Sequence, residues 1–437
     1  MSQEHASRRG RRLTATVTDL TVVVQRAFLI GVVLPGTSEE EEERSLEELA
    51  LLTDTAGAEV VDQELVKRAE IDPAYFIGKG KAQELAQLTQ ALDIDVVLFD
   101  HQLTPAQQRN LQNLFGCDVV DREGLILDIF AQHARSRIGA LQVELALLRY
   151  HLPRLRGKGK SMAQQASGAG ITNRGPGETK LELDRRKILT RISRLEKELA
   201  ESVGHQETQR KRRRSSLVPQ VSIVGYTNAG QSTLLNALTD ADVLVEDRLF
   251  ATLDPTVRRY ERPGQRPFLL ADTVGFVRRL PHGLVQAFRS TLQEAADADL
   301  LLHLVDATDP DVPGQIEAVR EVLAEIDADG VPEILALNKV DALDEGQRKR
   351  LANLYPDAVF VSALTGEGLD ELVEAITNAL TAGLVTLSLA IPYDRGDLVA
   401  AAHELGEVIT EKHDEDGTVL DVRVPVAVAS RFEPYRR

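Results

Sequence analysis

A short apolar run at 221–224 leads into Gly225, Tyr226, Thr227, Asn228, Ala229, Gly230, Gln231, Ser232 and Thr233, and a helical pattern over 234–238 follows at once. A glycine-rich turn between strand and helix presents successive backbone N–H groups and a helix N-terminus, an arrangement that cradles phosphates. Ser232 is placed to offer its hydroxyl to Mg2+. The pattern G-x-x-x-x-G-K-[ST] asks for Lys before that serine, whose charge bridges phosphate oxygens. Gln231 stands there instead and donates a hydrogen bond without charge. On its own, a loop without that lysine is a weak signal, compatible with a plain strand-to-helix turn.

Its partners decide the matter. Asp272, Thr273, Val274 and Gly275 follow the apolar run 269–271; the carboxylate can hold a Mg2+-bound water, and the Gly275 N–H can reach a third phosphate. Asn338, Lys339, Val340 and Asp341 end a further apolar run, 334–337. The two oxygens of Asp341 can accept from guanine N1–H and the exocyclic 2-amino group, while Asn338 reaches the opposite edge and the Lys339 stem covers the face. Adenine lacks both donors, and a carboxylate left unpaired costs roughly 1–3 kcal/mol. Ser362, Ala363 and Leu364 close a third strand and can offer backbone N–H to the base oxygen. Between the phosphate loop and Asp272 lie Phe250, Ala251, Thr252, Leu253 and Asp254, an irregular segment of the type that orders around a third phosphate. Thr252 is the expected Mg2+ ligand there, with Thr256 the alternative. Four strand-end elements in chain order predict a P-loop domain for GTP and GDP, with Mg2+ held by Ser232, Thr252 and Asp272.

The elements that must position these loops alternate. Strands at 220–224, 267–271, 300–305, 333–337 and 359–361 interleave with helices at 232–238, 281–296, 314–326 and 369–380, a doubly wound pattern whose ligands bind outside the carboxyl ends of the strands. Upstream, strands at 28–34, 59–61, 95–99 and 117–120 alternate with helices at 45–56, 79–92 and 105–114, which predicts a small parallel sheet covered by helices. The acidic run 39–43 reads as a solubilising lead into the first helix, suited to its dipole. Long helical periodicity over 124–152 and again over 181–199 implies a helical hairpin.

The fold class expected is α/β multidomain, divided as follows. A flexible basic arm over 1–24 precedes an N-terminal α/β domain over 25–121. A long-helix hairpin with a Gly-rich basic loop and linker covers 122–216, the doubly wound P-loop GTPase domain 217–384, and a small α+β C-terminal domain 385–437.

Composition sets the frame. The 437 residues carry a net charge of −17 and 43% hydrophobic residues, enough for several cores, which excludes whole-chain disorder. The longest apolar stretch, 22–34, is interrupted by Gln25 and Arg26, so no membrane span is expected. The single Cys117 cannot form an internal disulfide, and a reducing cytoplasm is the expected setting. Yet residues 149–217 hold 18 Lys and Arg against 7 Asp and Glu, with 210–214 read as a linker. The loop 156–177, rich in glycine and poor in apolar residues, is expected to be mobile and positively charged, and Arg154, Arg156, Lys158, Lys160, Arg174 and Lys180 can follow an RNA backbone.

At this point the chain resembles the HflX-type ribosome-associated GTPases of the TRAFAC class. The likeness runs over nearly the whole length. It rests on Asn173 to Arg185 (NRGPGETKLELDR), Phe76 to Lys81 (FIGKGK), Gly225 to Gly230, Phe250 to Asp254 (FATLD) and Asp272 to Phe276 (DTVGF). The resemblance implies GTP hydrolysis with Mg2+, binding to the large ribosomal subunit, and a role in ribosome splitting or rescue, translation or ribosome biogenesis. Its functional positions carry over at Gly225–Gly230, Ser232, Thr252, Asp272–Gly275, Asn338–Asp341 and Ser362–Leu364. The departure is Gln231. A second feature concerns the attacking water. Phe276, directly after the Gly275 turn, has no polar group to hold it, so hydrolysis is expected to need a partner. The expected chain is a cytoplasmic monomer associated with ribosomal RNA through its basic hairpin.

Two competing readings follow from the same residues. In one, the chain is a GTP-gated ribosome-binding protein that scarcely hydrolyses, because Gln231 replaces the lysine. In the other it is an RNA-binding scaffold with a vestigial nucleotide domain. Gly157 to Ser161 (GKGKS) fails as a phosphate loop because no apolar strand precedes it, and Gly78 to Lys81 reads as a structural turn.

Overall fold

Apolar runs long enough to be covered on both faces make parallel strands, and Val96–Phe99, with all four residues buried, is the clearest of them. The computed structural model describes residues 24–155, 180–214, 218–239, 249–250, 256–262, 267–414 and 416–437. The basic arm up to residue 23, the Gly-rich loop, and Ala251, Thr252, Leu253 and Asp254 lie outside those residues. The chain divides into two units. One comprises Met1–Ala200 with Arg248–Leu253 and Arg278–Phe288, the other Glu201–Asp247, Asp254–Val277 and Arg289–Arg437.

In the first unit, β1 (Gln25–Val33), α1 (Glu39–Thr55), β2 (Ala58–Lys67), α2 (Lys79–Ala91), β3 (Val96–Phe99), α3 (Pro105–Phe115) and β4 (Asp118–Asp121) form a parallel sheet of order β2-β1-β3-β4. Phe28, Ile30, Val97, Phe99 and Val119 pack with Leu85, Leu111 and Phe115 into its core. The first helix starts earlier than expected. Ser38 caps it in a reciprocal box with Glu41, so the acidic run belongs to its first turn, and Glu42 is buried rather than solubilising. The single helix expected over 124–152 is two, α4 (Arg122–His133) and α5 (Arg137–Arg154), because Ala134 turns extended and Ser136 caps a new N-terminus.

The helix α6 (Lys180–Arg214) pairs with α5 through Leu141, Leu145, Ile192 and Leu195 and through Arg191 with Glu144 at 2.7 Å. It runs on through 210–214, which the sequence suggested as linker. Arg, Lys, Gln and Glu are good helix formers, and neither Gly nor Pro interrupts 205–214.

In the second unit, β5 (Gln220–Gly225), α7 (Gln231–Thr239), β6 (Thr256–Tyr260), β7 (Phe268–Asp272), α9 (Arg289–Ala296), β8 (Leu300–Asp306), α10 (Val312–Glu325), β9 (Glu333–Asn338), α11 (Glu345–Leu354), β10 (Val359–Phe360) and α12 (Leu369–Thr381) build a sheet of order β10-β9-β8-β5-β7-β6. Among the described residues of this sheet only β6 runs antiparallel, with Thr256 opposite Asp272, a strand the sequence did not reveal. The helix expected over 281–296 breaks at Phe288 into α8 (His282–Ala287), which belongs to the first unit, and α9 in the second. The core is Val221, Ile223, Leu234, Leu235, Leu302 and Leu304 with their neighbours. Because β5 lies between β7 and β8, strand order reverses at its carboxyl end, and the phosphate loop leaves from that point.

The last sheet, β11 (Leu384–Pro392), β13 (Gly417–Pro425) and β12 (Glu407–His413), is antiparallel and covered by α13 (Gly396–Leu405). Among the described residues no helix is long and apolar enough to cross a membrane.

Candidate nucleotide site

The phosphate loop is held from behind by close packing. At Gly225 a Cβ would stand 2.2 Å from the Leu304 carbonyl oxygen, so only glycine lets β5 pass β8 there. Gly230 has φ +92°, and a Cβ on it would meet Asn338 Nδ2 at 2.4 Å. Beyond it Gln231, Ser232 and Thr233 form the first turn of α7, and a helix N-terminus is a favourable place for an anion. Asn228 sits at the exposed tip with φ +62°.

Two strand ends converge on this loop. Ser232 Oγ donates to Asp272 Oδ2 at 3.0 Å, which brings together a hydroxyl and a buried carboxylate, the hard oxygen donors that suit Mg2+. Thr273 Oγ1 donates to the Ile223 carbonyl at 2.8 Å and fixes the turn after β7. Val274 is buried, and Gly275 lies against Thr227 so tightly that a Cβ would be 3.0 Å from Thr227 Cα. Phe276 N–H donates to the Gly225 carbonyl at 3.0 Å and Thr227 N–H to the Phe276 carbonyl at 2.7 Å, with Tyr226 bridged to Phe276. This pairing between the two loops was not legible in the sequence.

The residues expected to read the base form one connected set. Asn338 Nδ2 donates to the Ala229 carbonyl at 2.7 Å, and its Oδ1 accepts from Ala363 N–H at 2.9 Å. Ser362 Oγ donates to Asp341 Oδ1 at 2.6 Å and accepts from Thr365 N–H, which aims the carboxylate. Lys339 adopts φ +64° and its Nζ pairs with Asp306 Oδ2 at 2.7 Å. Asp306, the last residue of β8, was not singled out from sequence. Val340 is buried in a short 3-10 turn, and Leu364 is 80% exposed beside the base-reading loops.

Among the described residues, two buried polar atoms of the 225–233 loop, Gln231 Nε2 and Thr227 Oγ1, meet no hydrogen-bond partner. A buried donor without a partner is costly. Both lie in the loop expected to cradle phosphate, and a phosphate oxygen is a chemically fitting acceptor for them. Of the expected Mg2+ ligands, Ser232 and Asp272 are adjacent, Thr252 lies outside the described residues, and Thr256 opens β6 opposite Asp272. Phe250 is buried in the first unit.

Comparison with known proteins gives matches along most of the chain. Residues 43–131 match a family described as GTP-binding GTPase N-terminal, 133–213 a GTP-binding GTPase middle region, 220–339 a 50S ribosome-binding GTPase, and 349–434 an HflX C-terminal domain. A GTPase HflX of Caldanaerobacter subterraneus subsp. tengcongensis is 45% identical over 411 residues, covering 94% of each chain. The GTPase HflX of Escherichia coli is 45% identical over 392 residues, 89% of this chain and 92% of its own. A GTP-binding protein from Sulfolobus solfataricus, solved with GDP, is 28% identical and covers 82% of this chain and 99% of its own, with a TM-score of 0.41.

Proposed function

The chain belongs to the HflX family of GTPases, and from that premise we propose that it binds GTP and GDP, hydrolyses GTP, and works on the large ribosomal subunit in ribosome splitting or rescue, translation or ribosome biogenesis. The observation that carries the reading is Asn338, whose one amide joins the phosphate loop at Ala229 to the base loop at Ala363. The phosphate loop and the guanine-reading residues therefore act as one site.

In the mechanism we propose, the amides of residues 227–233 hold the phosphates while Asp341 and the 362–364 loop hold the base. Ser232 and Asp272, with Thr252, would hold Mg2+, which when bound neutralises charge between the outer phosphates. Gly275 N–H meets the third phosphate. Gln231 Nε2 donates to a phosphate oxygen but brings no charge, so part of the transition-state stabilisation is missing. Phe276 cannot orient water. Both features support a slow intrinsic reaction that ribosomal contact accelerates, with the cationic hairpin along α5 and α6 as the RNA-facing element, in the cytoplasm.

The test is phosphate release by the full chain and by Gln231→Lys, with and without large ribosomal subunits. Stimulation of the unmodified chain by the subunits supports the proposal. If it releases no phosphate at saturating GTP under either condition while Gln231→Lys does, the second reading holds, a GTP-gated ribosome-binding protein. That reading draws its support from the buried, unpartnered Gln231 Nε2.

A further inference from the structure

The 225–233 loop has two ends with different neighbours. At one end a Cβ on Gly230 would meet Asn338 Nδ2 at 2.4 Å, so that end stands beside the residues expected to read the base. At the other end a Cβ on Gly275 would stand 2.9 Å from Thr227 Cγ2 and 3.0 Å from Thr227 Cα. Thr227 therefore lies directly against the turn whose N–H is expected to meet the third phosphate. A nucleotide that spans the loop from one end to the other puts its outermost phosphate next to Thr227.

The Thr227 backbone is fixed in that place. Its N–H donates to the Phe276 carbonyl at 2.7 Å, and the Phe276 N–H donates to the Gly225 carbonyl at 3.0 Å. The side chain is 7% exposed, and among the described residues its Oγ1 meets no hydrogen-bond partner. Buried hydroxyls are in large majority paired, so this one calls for an explanation. Nearby polar groups are engaged otherwise. Ser232 Oγ donates to Asp272 Oδ2, and Thr273 Oγ1 donates to the Ile223 carbonyl. One rotamer step about the Thr227 Cα–Cβ bond carries Oγ1 to the position its methyl Cγ2 now holds beside Gly275.

A task is open at this end of the loop. Hydrolysis of a nucleoside triphosphate needs a group that holds the attacking water in line with the bond to be broken. Phe276, which follows Gly275, has no polar side-chain atom for it. A threonine hydroxyl has one donor and two acceptor sites, enough to hold a water and orient it.

We propose that Thr227 is a catalytic residue whose hydroxyl holds the attacking water. The hydroxyl accepts a hydrogen bond from the water and turns a water lone pair toward the outermost phosphorus. The water oxygen bonds to that phosphorus, and the bond from the phosphorus to the bridging oxygen breaks with its electron pair leaving on GDP. The water's proton passes to the released phosphate, and Thr227 ends the cycle unchanged. The proposal rests on the nucleotide reading of the 225–233 loop.

The test compares the full chain with Thr227→Val, which keeps the branched shape without the hydroxyl, and with Thr227→Ser, which keeps the hydroxyl. Each is made with Gln231 in place and again with Gln231→Lys, so that the missing charge does not mask the effect. The measurements are single-turnover GTP hydrolysis with large ribosomal subunits, affinity for GDP, and affinity for GDP with aluminium fluoride, a mimic of the reacting phosphate. In Thr227→Val the rate should fall about a hundredfold, the lower end of the range for a side chain that assists proton transfer, and the aluminium fluoride complex should weaken with it. Its GDP affinity and thermal midpoint should hold, because the lost hydroxyl made no bond. Thr227→Ser should stay within a few-fold of the parent. If Thr227→Val melts early, Thr227→Ala takes its place in the same comparison. A hydroxyl-free variant that hydrolyses GTP at the parent's rate overturns the proposal, and so does an equal loss in Thr227→Ser, which would make the residue a matter of shape. A chain that binds GDP but hydrolyses GTP neither with Gln231 nor with Gln231→Lys overturns it together with the hydrolysis reading beneath it, a failure visible before any change at Thr227.

Discussion

Asn338 Nδ2 donates to the Ala229 carbonyl at 2.7 Å, so the strand end proposed to read the base is bonded to the loop proposed to hold the phosphates. Replacing Asn338 with Ala leaves the Ala229 carbonyl and the Ala363 N–H without their partner in a buried place, each at roughly 1–3 kcal/mol. Affinity for GTP and for GDP should fall together, by about tenfold or more, with their ratio unchanged. Calorimetric titration of both nucleotides checks this, and a loss confined to one of them counts against the linkage.

Asp341 has one oxygen fixed by Ser362 Oγ at 2.6 Å, and the residue is exposed toward solvent. Asp341→Asn turns an acceptor into a donor at the edge where guanine carries its 2-amino group. Guanine nucleotides should then bind about a hundredfold more weakly, the order expected when a site built for a hydrogen bond meets the wrong partner. Xanthine nucleotides, with a carbonyl at that carbon, should gain. Competition between GTP and XTP for the variant is the measurement, and an unchanged preference for GTP would remove Asp341 from base recognition.

The strand ends that make up the candidate nucleotide site were legible from sequence because its parts are short, contiguous and each follows an apolar strand, as with Asn338 to Asp341 after 334–337. What could not be read depends on contacts between distant segments. The bonds of Phe276 to Gly225 and Thr227 are backbone bonds, independent of side-chain type. Glu42 looked like one of five surface acids because only the register of α1, set by the Ser38 cap, turns it inward. Likewise β6 escaped notice because an edge strand with Arg258 and Arg259 exposed has little apolar periodicity. The break at Phe288 is tertiary too, since helical periodicity continues across 281–296 while the packing divides there between the two units.

Glu333 illustrates an acid-sensitive contact in the central sheet. Burial alone would raise its carboxyl, but the hydrogen bonds from His303 Nδ1 at 2.8 Å and from Arg320 outweigh burial and hold it at about 2. A folded-state pKa below the ordinary value of 4.5 means that this stabilisation is complete above about 4.5 and is lost as pH falls toward 2. Glu333→Gln should therefore lower stability at pH 7 by roughly 1.5–3 kcal/mol, the range for hydrogen bonds to a charged group. The difference from the unmodified chain should shrink steadily below pH 4. Denaturant unfolding at pH 7 and pH 3 tests it, and an equal difference at both would place the effect outside the carboxylate's charge.

Asp128 on α4 behaves in the opposite sense. It is buried, and burial pushes its carboxyl up to about 7 from an ordinary 3.8. Because the folded form holds the proton more tightly than the unfolded one, the native state is favoured at low pH and loses stability as pH rises from about 4 to 7, after which the loss is constant. At roughly 1.4 kcal/mol for each pKa unit the loss is bounded at ~4 kcal/mol. Asp128→Asn keeps the shape and removes the charge, so its thermal midpoint should exceed that of the unmodified chain at pH 8 and match it at pH 4. Melting curves across that range read the result directly. A variant no more stable at pH 8 would show that solvent or a nearby cation already compensates the buried carboxylate, and the pH dependence of the first unit would then have to originate elsewhere.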